Sequence, residues 1–115
     1  MKLVNRTRGT VLAAQVERAG SMRARLKGLL GRDGLAEGSA LVIEPCTSIH
    51  TFFMRFTIDV LFLDRRGAAL RALGALKPWR ATRVYPSAAL VVELPEGALA
   101  RSGTLERDLL AFEEA

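Results

Sequence analysis

The stretch "FFMRFTIDVLF", residues 52–62, decides how this chain is predicted to fold, because apolar and polar side chains alternate along it. Every even position is apolar, whereas the odd positions include Arg55, Thr57 and Asp59. A period of two indicates a β-strand, and the aromatic and β-branched content favours a strand over a helix. A helix is the competing interpretation, since several of the apolar side chains would also share one helical stripe. Residues 52–62 are therefore predicted to be pleated, with one buried face and one more polar face.

Turn and strand signals extend this pattern in both directions. "DRRG" (64–67) predicts a hairpin turn in which Gly67 takes a positive φ, and "AALRALGAL" (68–76) predicts the returning strand. Before the central stretch, "ALVIEP" (40–45) predicts a short strand that ends at Pro45. The remaining segments are predicted as strands at 10–19, 89–95 and 108–113, with a long loop at 77–88.

Two short helices are predicted beside the strands. "GSMRARLKGLLGR" (20–32) has a capping serine, apolar residues at helical spacing and a closing glycine. Its other positions hold Arg23, Arg25 and Lys27, so the outer face of this helix is cationic. "PEGALARSG" (95–103) predicts a second helix that is entered at a proline and closed by a glycine.

Length and composition fit one globular domain over residues 1–115. Half of the residues are hydrophobic and a quarter are charged, which is typical of a packed core with a solvated surface. The single cysteine excludes an internal disulfide, so packing alone must hold the fold. The predicted fold class is mostly β, a β-rich α+β fold, built as an antiparallel curled sheet or partly open barrel with one or two short helices.

The cellular location is predicted from segments that the sequence lacks. No apolar run approaches the ~18 residues of a membrane span. The first residues, "MKLVNRTRGTVLAAQ", contain an apolar stretch too short for a signal peptide. We therefore expect a soluble, cytoplasmic protein with no membrane span.

The formal net charge is +5, and residues 1–32 carry eight bases against the single acid Glu17. This asymmetry raises the hypothesis of nucleic-acid binding. The alternative is a solvated, arginine-rich surface, which we favour because no recognition motif accompanies the charge. In the same way, Trp79 either stacks a base or covers the end of the barrel with its ring, and the covering role is favoured. The nucleic-acid hypothesis would use Arg23, Arg25 and Lys27 on the first helix, and Trp79, Arg80 and Arg83 in the long loop.

The only cysteine and the only histidine, Cys46 and His50, stand four residues apart. On an extended backbone their α-carbons lie ~13 Å apart, too far to share one small ion or to form a nucleophile pair. We predict no metal site and no cofactor. Cys46 is interpreted as a small buried hydrophobe, and His50 as an imidazole hydrogen-bonded at a strand end to Ser48 or Thr51.

Two acidic residues in apolar strands are candidate site residues. Asp59 needs an explanation, because an acid in an apolar segment is costly unless it faces solvent or has a partner. An ion pair with Arg55 or Arg71 is favoured, and a pocket carboxylate is the alternative. Glu93 either faces solvent or an ion-pair partner, which is favoured, or turns towards Asp59 and His50, where two carboxylates share a proton or bind a cation.

Three blocks of the sequence, taken in order, resemble a known family. "GLLGR", "ALVIEPCTSIHTFFMRFTIDVLFLDRRG" and "VYPSAALVVELPEGALARSG" are similar to the bacterial and archaeal family called domain of unknown function 192, over roughly residues 19–112. Many members carry Trp where this chain has Phe53, and a Gly-Asp pair where it has Arg107 and Asp108. The resemblance implies a compact β-rich fold and no mechanism. Its marks are Phe53, Met54, Ile58, Asp59, Val60, Phe62 and Asp64, and then Glu93, Leu94, Pro95 and Gly97.

The leading functional prediction is a small non-catalytic binding or accessory module for an unknown small molecule or protein. Its polar cleft is expected at one end of the sheet, where His50, Arg55, Asp59 and Glu93 would meet. One alternative is an enzyme that uses His50 with Asp59 or Glu93 as acid and base. The other is nucleic-acid binding through the basic helix and the Trp79 loop. The sequence leaves open whether there is any catalysis.

Overall fold

The computed structural model describes residues 1–19 and 32–114, and strands dominate this part of the chain. The helix predicted at 20–32 lies outside the described residues except for Arg32, and its residues Arg23, Arg25 and Lys27 lie outside them too. The predicted β-rich fold with a short helix is confirmed. In chain order the elements are β1 Lys2–Asn5, β2 Thr10–Ala13, β3 Gln15–Ala19, β4 Ser39–Ile43, β5 Ile58–Leu63, β6 Ala69–Leu76, β7 Leu90–Pro95, helix α1 Ala98–Ser102 and β8 Leu110–Glu113.

The strands form two sheets and, within the described ranges, no closed barrel. The larger sheet has the order β3-β4-β7-β5-β6, in which only the β3–β4 pair is parallel. The smaller sheet has the order β2-β1-β8 and is antiparallel. One apolar core lies between the smaller sheet, α1 and one face of the larger sheet, and a second core covers the opposite face.

The strand predicted over residues 52–62 is confirmed in its second half only. β5 begins at Ile58, and residues 52–57 form turns and bends. The even positions Ile58, Val60 and Phe62 do share one buried face. The expectation of a polar opposite face is wrong beyond Asp59, because the smaller sheet and α1 cover that face and bury Leu61.

The segment predicted as one strand at 10–19 is two strands in different sheets. Ala14 separates them, and the carbonyl of Gly38 accepts the N–H groups of both Ala14 and Gln15. The hairpin at 64–67 is confirmed. Gly67 has a φ of 89°, and a Cβ there would collide with the backbone carbonyl oxygen of Leu110, so this turn requires glycine.

The helix predicted between residues 95 and 103 is confirmed with narrower bounds. α1 is followed by Gly103 at a φ of 67°, whose N–H bonds the helical carbonyl of Ala100. A little further on, Arg107 has a φ of 78°. Glycine adopts this left-handed conformation more easily than arginine does.

A buried polar network joins β1 to the segment between α1 and β8. Asn5 Nδ2 donates to Thr104 Oγ1 and to Asp108 Oδ2, each at 3.0 Å. Arg8 donates to the same carboxylate from Nε at 3.0 Å and from Nη2 at 3.2 Å. The hydrogen bond from Arg8 is the main reason that the pKa of Asp108 is lowered to about 2. The network ties the two ends of the described chain together.

Candidate binding surface

Two loops, residues 46–57 and 77–89, cross one face of the larger sheet and are called the loop pair here. The first leaves β4 at the end of the sheet where β7 begins, and reaches β5 at the other end. The second returns from the end of β6 to the start of β7. Their inward side chains, Cys46 and Met54 among them, join the core on that face. The loop pair is therefore packed onto the sheet and is not a free appendage.

Backbone hydrogen bonds hold the two loops side by side in antiparallel directions. Tyr85 N donates to the carbonyl of Thr47 at 2.8 Å, and Thr82 N donates to that of Ile49 at 2.9 Å. The hydroxyl of Thr82 accepts the N–H of Ile49 at 3.0 Å. This ladder fixes the relative position of side chains that lie more than 25 residues apart in the sequence.

Thr51 is the buried link at the outer end of this ladder, and none of its surface is exposed. Its Oγ1 donates to the carbonyl of Lys77 at 2.6 Å and accepts the N–H of Arg80 at 2.9 Å. Its backbone N–H donates to the carbonyl of Arg80 at 2.7 Å, and its carbonyl accepts the N–H of Trp79 at 3.0 Å. One threonine thus fixes the turn that carries Trp79.

Four rings on the loop pair form a surface cluster, called the aromatic cluster, of His50, Phe52, Phe53 and Trp79. The centroids of His50 and Phe52 are 4.8 Å apart, those of Phe52 and Trp79 6.1 Å, and those of Trp79 and Phe53 4.6 Å. Phe53 is 69% exposed and Trp79 is 56% exposed. The favoured prediction is that Trp79 covers the end of the barrel with its ring; in the structure more than half of Trp79 is exposed and its ring packs on Phe52 and Phe53.

Both of the most exposed rings sit on a left-handed backbone. Phe53 has a φ of 68° and Trp79 a φ of 64°, a region that bulky L-residues avoid at a cost of roughly 1–2 kcal/mol each. Burial offsets only part of this cost, because each of the two side chains exposes more than half of its surface. Strained residues that persist in a braced structure are characteristic of functional sites.

The loop pair is also cationic. It contains Arg55, Lys77, Arg80 and Arg83 and has no acidic residue. Arg55 donates from Nη1 to Asp33 at 3.0 Å, and both side chains are exposed. Lys77, Arg80 and Arg83 make no ion pair within residues 1–19 and 32–114. These three cations therefore lie, without an ion-pair partner among the described residues, on the loop that carries Trp79, and Arg80 Nη1 donates to the carbonyl of Trp79 at 3.4 Å.

Asp59 lies on the opposite face of the sheet, 2% exposed, and its partners are backbone amides. Oδ1 accepts the N–H of Ala75 at 2.9 Å, and Oδ2 accepts those of Gly97 at 3.1 Å and Leu99 at 2.9 Å. The predicted ion pair with Arg55 or Arg71 is wrong, since Arg71 donates to Glu106 instead. Asp59 thus connects the start of α1 to strands β5 and β6.

Glu93 projects from the face that the loop pair covers. The register pairs Glu93 with Val60 and Leu41, whereas Asp59 pairs with Leu94, so the two carboxylates point to opposite sides. The expected cleft of His50, Arg55, Asp59 and Glu93 is therefore not formed. Glu93 is 5% exposed, and burial raises its pKa to about 7, while the charge of Arg32 opposes the rise. Whether any of the four binds a ligand stays a prediction.

Cys46 and His50 have separate surroundings. Cys46 is buried, as expected, and its Sγ donates to the carbonyl of Ser48 at 3.0 Å. His50 Nδ1 accepts the N–H of Phe52 at 3.3 Å, so the predicted partners Ser48 and Thr51 are wrong. Among the residues that the structure describes, no three His, Cys, Asp or Glu side chains are grouped closely enough to hold a metal ion.

A concave feature lies between α1 and β6, on the side of the larger sheet opposite to the loop pair. It is a shallow groove of about 860 Å³, lined by small residues such as Gly74 and Ala100 and by the exposed Leu105. The carboxylate of Asp59 reaches its floor, but both oxygens already accept backbone hydrogen bonds.

No described helix is long and apolar enough to cross a membrane.

Sequence reasoning missed the aromatic cluster because it placed Phe52 on the buried face of a strand and gave Phe53 no site role. The informative signal was the absence of acidic residues from 46–57 and 77–89, together with an aromatic residue in each segment. Thr51 carried no signal of its own, since its partners belong to the second loop.

Comparison with known proteins gives relatives without an assigned role. The family DUF192, described as "Uncharacterized ACR", matches residues 3–112. A UPF0127 protein of Thermococcus sibiricus is 31% identical over 101 residues, which cover 84% of this chain and 65% of that protein. A UPF0127 protein of Thermococcus gammatolerans is 30% identical over 118 residues, which cover 96% of this chain and 74% of that protein. The match thus spans less than two thirds of the first relative's length.

Two solved structures share the fold. A protein of unknown function from Novosphingobium aromaticivorans superposes with a TM-score of 0.84 at 18% identity, over 97% of this chain and 84% of that one. A putative transcription regulator from Sinorhizobium meliloti superposes with a TM-score of 0.76 at 21% identity, over 96% and 89%. At these identities the likeness concerns the fold alone.

Proposed function

Since the chain belongs to DUF192, a family described only as uncharacterised, we propose a function from the loop pair itself. The protein is a small non-catalytic binding module, and its aromatic cluster holds a ligand that is both aromatic and anionic. The binding site is thus a surface of rings and cations, and not the polar cleft expected from the sequence.

One observation carries this proposal: the two most exposed rings of the cluster, Phe53 and Trp79, are held by strained backbone that Thr51 braces from beneath. Exposed aromatic groups in mutual contact are favoured places for a planar ligand, because ring stacking adds to apolar burial. Preorganised side chains lose little entropy when a ligand binds. The strain is understandable as the cost of holding the rings outward.

The charge of the loop pair selects the sign of the ligand. Lys77, Arg80 and Arg83 lie on the loop that carries Trp79, and neither loop has an acid to neutralise them. Guanidinium and ammonium groups attract phosphate and carboxylate groups, with arginine able to form paired hydrogen bonds. A ligand that joins a planar ring to an anionic group would use both properties of the surface.

The enzyme alternative has less support from the geometry. Within the described residues, neither a hydrogen bond nor an ion pair joins His50 to Asp59 or Glu93. Asp59 is engaged with three backbone N–H groups, and a general acid or base must reach a reacting proton. Binding is therefore the function that these contacts favour.

Trp79 is the only tryptophan of the chain, so its fluorescence reports directly on the proposed site. The probes are adenosine monophosphate, which has a ring and an anion, adenosine, which has only the ring, and ribose 5-phosphate, which has only the anion. We expect saturable quenching with the monophosphate and at least about tenfold weaker binding of the other two, because each lacks one set of contacts.

The matched variants are Phe53→Ala, which removes a ring from the cluster, and Leu105→Ala, which removes an exposed apolar side chain at the α1 groove. Only the first should weaken quenching. Equal binding of the monophosphate and ribose 5-phosphate would contradict the role of the rings, and no saturable quenching by any probe would reject the proposal.

A further inference from the structure

We propose that the ligand of the aromatic cluster is single-stranded nucleic acid, bound across several successive nucleotides. This inference rests on the proposed function and names the ligand class of the same surface.

The rings form a row that is longer than one base requires. His50, Phe52, Trp79 and Phe53 follow one another at centroid separations of 4.8, 6.1 and 4.6 Å. His50 and Phe52 are stacked on each other with their planes inclined at 27°, whereas the two most exposed rings, Trp79 and Phe53, are inclined at 59°, so one planar base cannot cover both of them. Successive bases stacked on aromatic side chains are the usual contact of proteins that bind single strands with little sequence preference.

The cations are spread along the site instead of converging on one point. Lys77, Arg80 and Arg83 recur at every third residue. From Arg80 to Arg83 the loop runs extended against the first loop, so the two α-carbons are about 10 Å apart and the two side chains leave opposite sides of the backbone. Cations separated in this way do not converge on a single place, as the several donors around one terminal phosphate would, and they can meet different phosphates of a longer strand.

The surroundings of the row differ from a site for a free nucleotide. Such sites gather backbone N–H groups at a glycine-rich turn or at the start of a helix. Neither 46–57 nor 77–89 contains glycine, and neither forms a helix. The loop pair offers exposed rings for stacking and separated cations for phosphate contacts. Both features favour a single-stranded nucleic acid over a free nucleotide.

The test is a length series read by Trp79 fluorescence. Thymidine monophosphate, its trinucleotide and its hexanucleotide are titrated, and the corresponding uridine series separates DNA from RNA as the source. Affinity should rise at least about tenfold from monomer to hexanucleotide in one or both series, since each further base adds a stacking contact. If the monophosphate binds as tightly as the hexanucleotide, this inference fails while the proposed function stands. If nothing binds, both fail.

Two matched charge variants test whether binding depends on the cations of the loop pair or only on the net charge of the protein. The first is K77Q/R80Q/R83Q on the loop pair, and the second is R65Q/R66Q/R107Q, which removes the same charge from exposed positions elsewhere. For single strands the logarithm of affinity falls with the logarithm of salt concentration with a slope of about −0.7 per phosphate contact. The first variant should reduce that slope by about two, and the second should leave it nearly unchanged.

Competitors identify the other possible outcomes. Heparin carries negative charge without bases, and a glutamate-rich peptide with phenylalanine carries charge and rings on a polypeptide that adds no tryptophan fluorescence. Displacement of the hexanucleotide by heparin at equal charge concentration would show that charge alone binds, and would overturn the inference. Tighter binding of the peptide than of the hexanucleotide would identify the ligand as a protein segment, and would overturn it as well.

Discussion

Phe53 and Trp79 show how a single residue can be placed against its own preference. Each has a positive φ, which glycine or asparagine adopts more easily, and each exposes more than half of its surface. A residue selected for stability at such a position would be small. Two large rings at these positions are understandable if the surface binds a planar ligand.

We predict that Phe53→Gly keeps the free energy of unfolding within about 1 kcal/mol of the unchanged protein. Relief of the left-handed backbone offsets the lost ring contact with Trp79 and the greater freedom of the unfolded chain. The matched control is Phe62→Ala in the core, which should lose about 3–5 kcal/mol. Urea unfolding measures both. A loss of 3 kcal/mol from Phe53→Gly would mean that the ring has a structural role.

Asp59 marks the limit of sequence reasoning at this scale. The sequence predicts that an acid in an apolar strand needs a partner, and the structure agrees. It does not predict the partners, because the amides of Ala75, Gly97 and Leu99 are 16 to 40 residues away and carry no side-chain signal. An ion pair is the natural expectation when only side chains can be compared.

At the scale of elements, β5 explains why the predicted face pattern was half right. Alternation in "IDVLFL" separates two faces, but both are buried because cores lie on both sides of the larger sheet. The turns of residues 52–57 interrupt the same alternation before the strand begins. Periodicity reports which side chains share a direction, and only the surrounding elements determine what covers them.

We predict that Thr51→Val destabilises the loop pair and weakens ligand binding together. Valine has nearly the same shape, but it leaves the carbonyl of Lys77 and the N–H of Arg80 without the hydroxyl, which should cost about 2 kcal/mol or more. Thr51→Ser keeps the hydroxyl and should lose only about 1 kcal/mol for the missing methyl group. Unfolding and the quenching of Trp79 are measured on both. Equal behaviour of the two variants would exclude the hydroxyl as the brace.

At the scale of the whole molecule, two carboxylates have pKa values shifted in opposite directions. Asp108 ties the ends of the described chain, and its pKa is lowered from 3.8 to about 2. Its contribution to stability is present above the higher value and is lost as the pH falls towards the lower one. Glu93 lies among apolar side chains, and burial raises its pKa from 4.5 to about 7. The native state therefore holds that proton more tightly than the unfolded chain, and stability falls as the pH rises through this interval.

The free energy of unfolding should consequently be greatest near the pH interval where both contributions are intact, between 3.8 and 4.5, far below the isoelectric point of about 10.3. The loss from Glu93 alone should reach on the order of 3 kcal/mol above neutrality. Glu93→Gln should remove most of this decline and leave the acid side of the profile unchanged, because glutamine carries no charge to bury. Urea unfolding at a series of pH values measures the effect. Stability of the unchanged protein that rises steadily from pH 4.5 to 7, or a variant with the same slope, would contradict the buried, protonated state of Glu93.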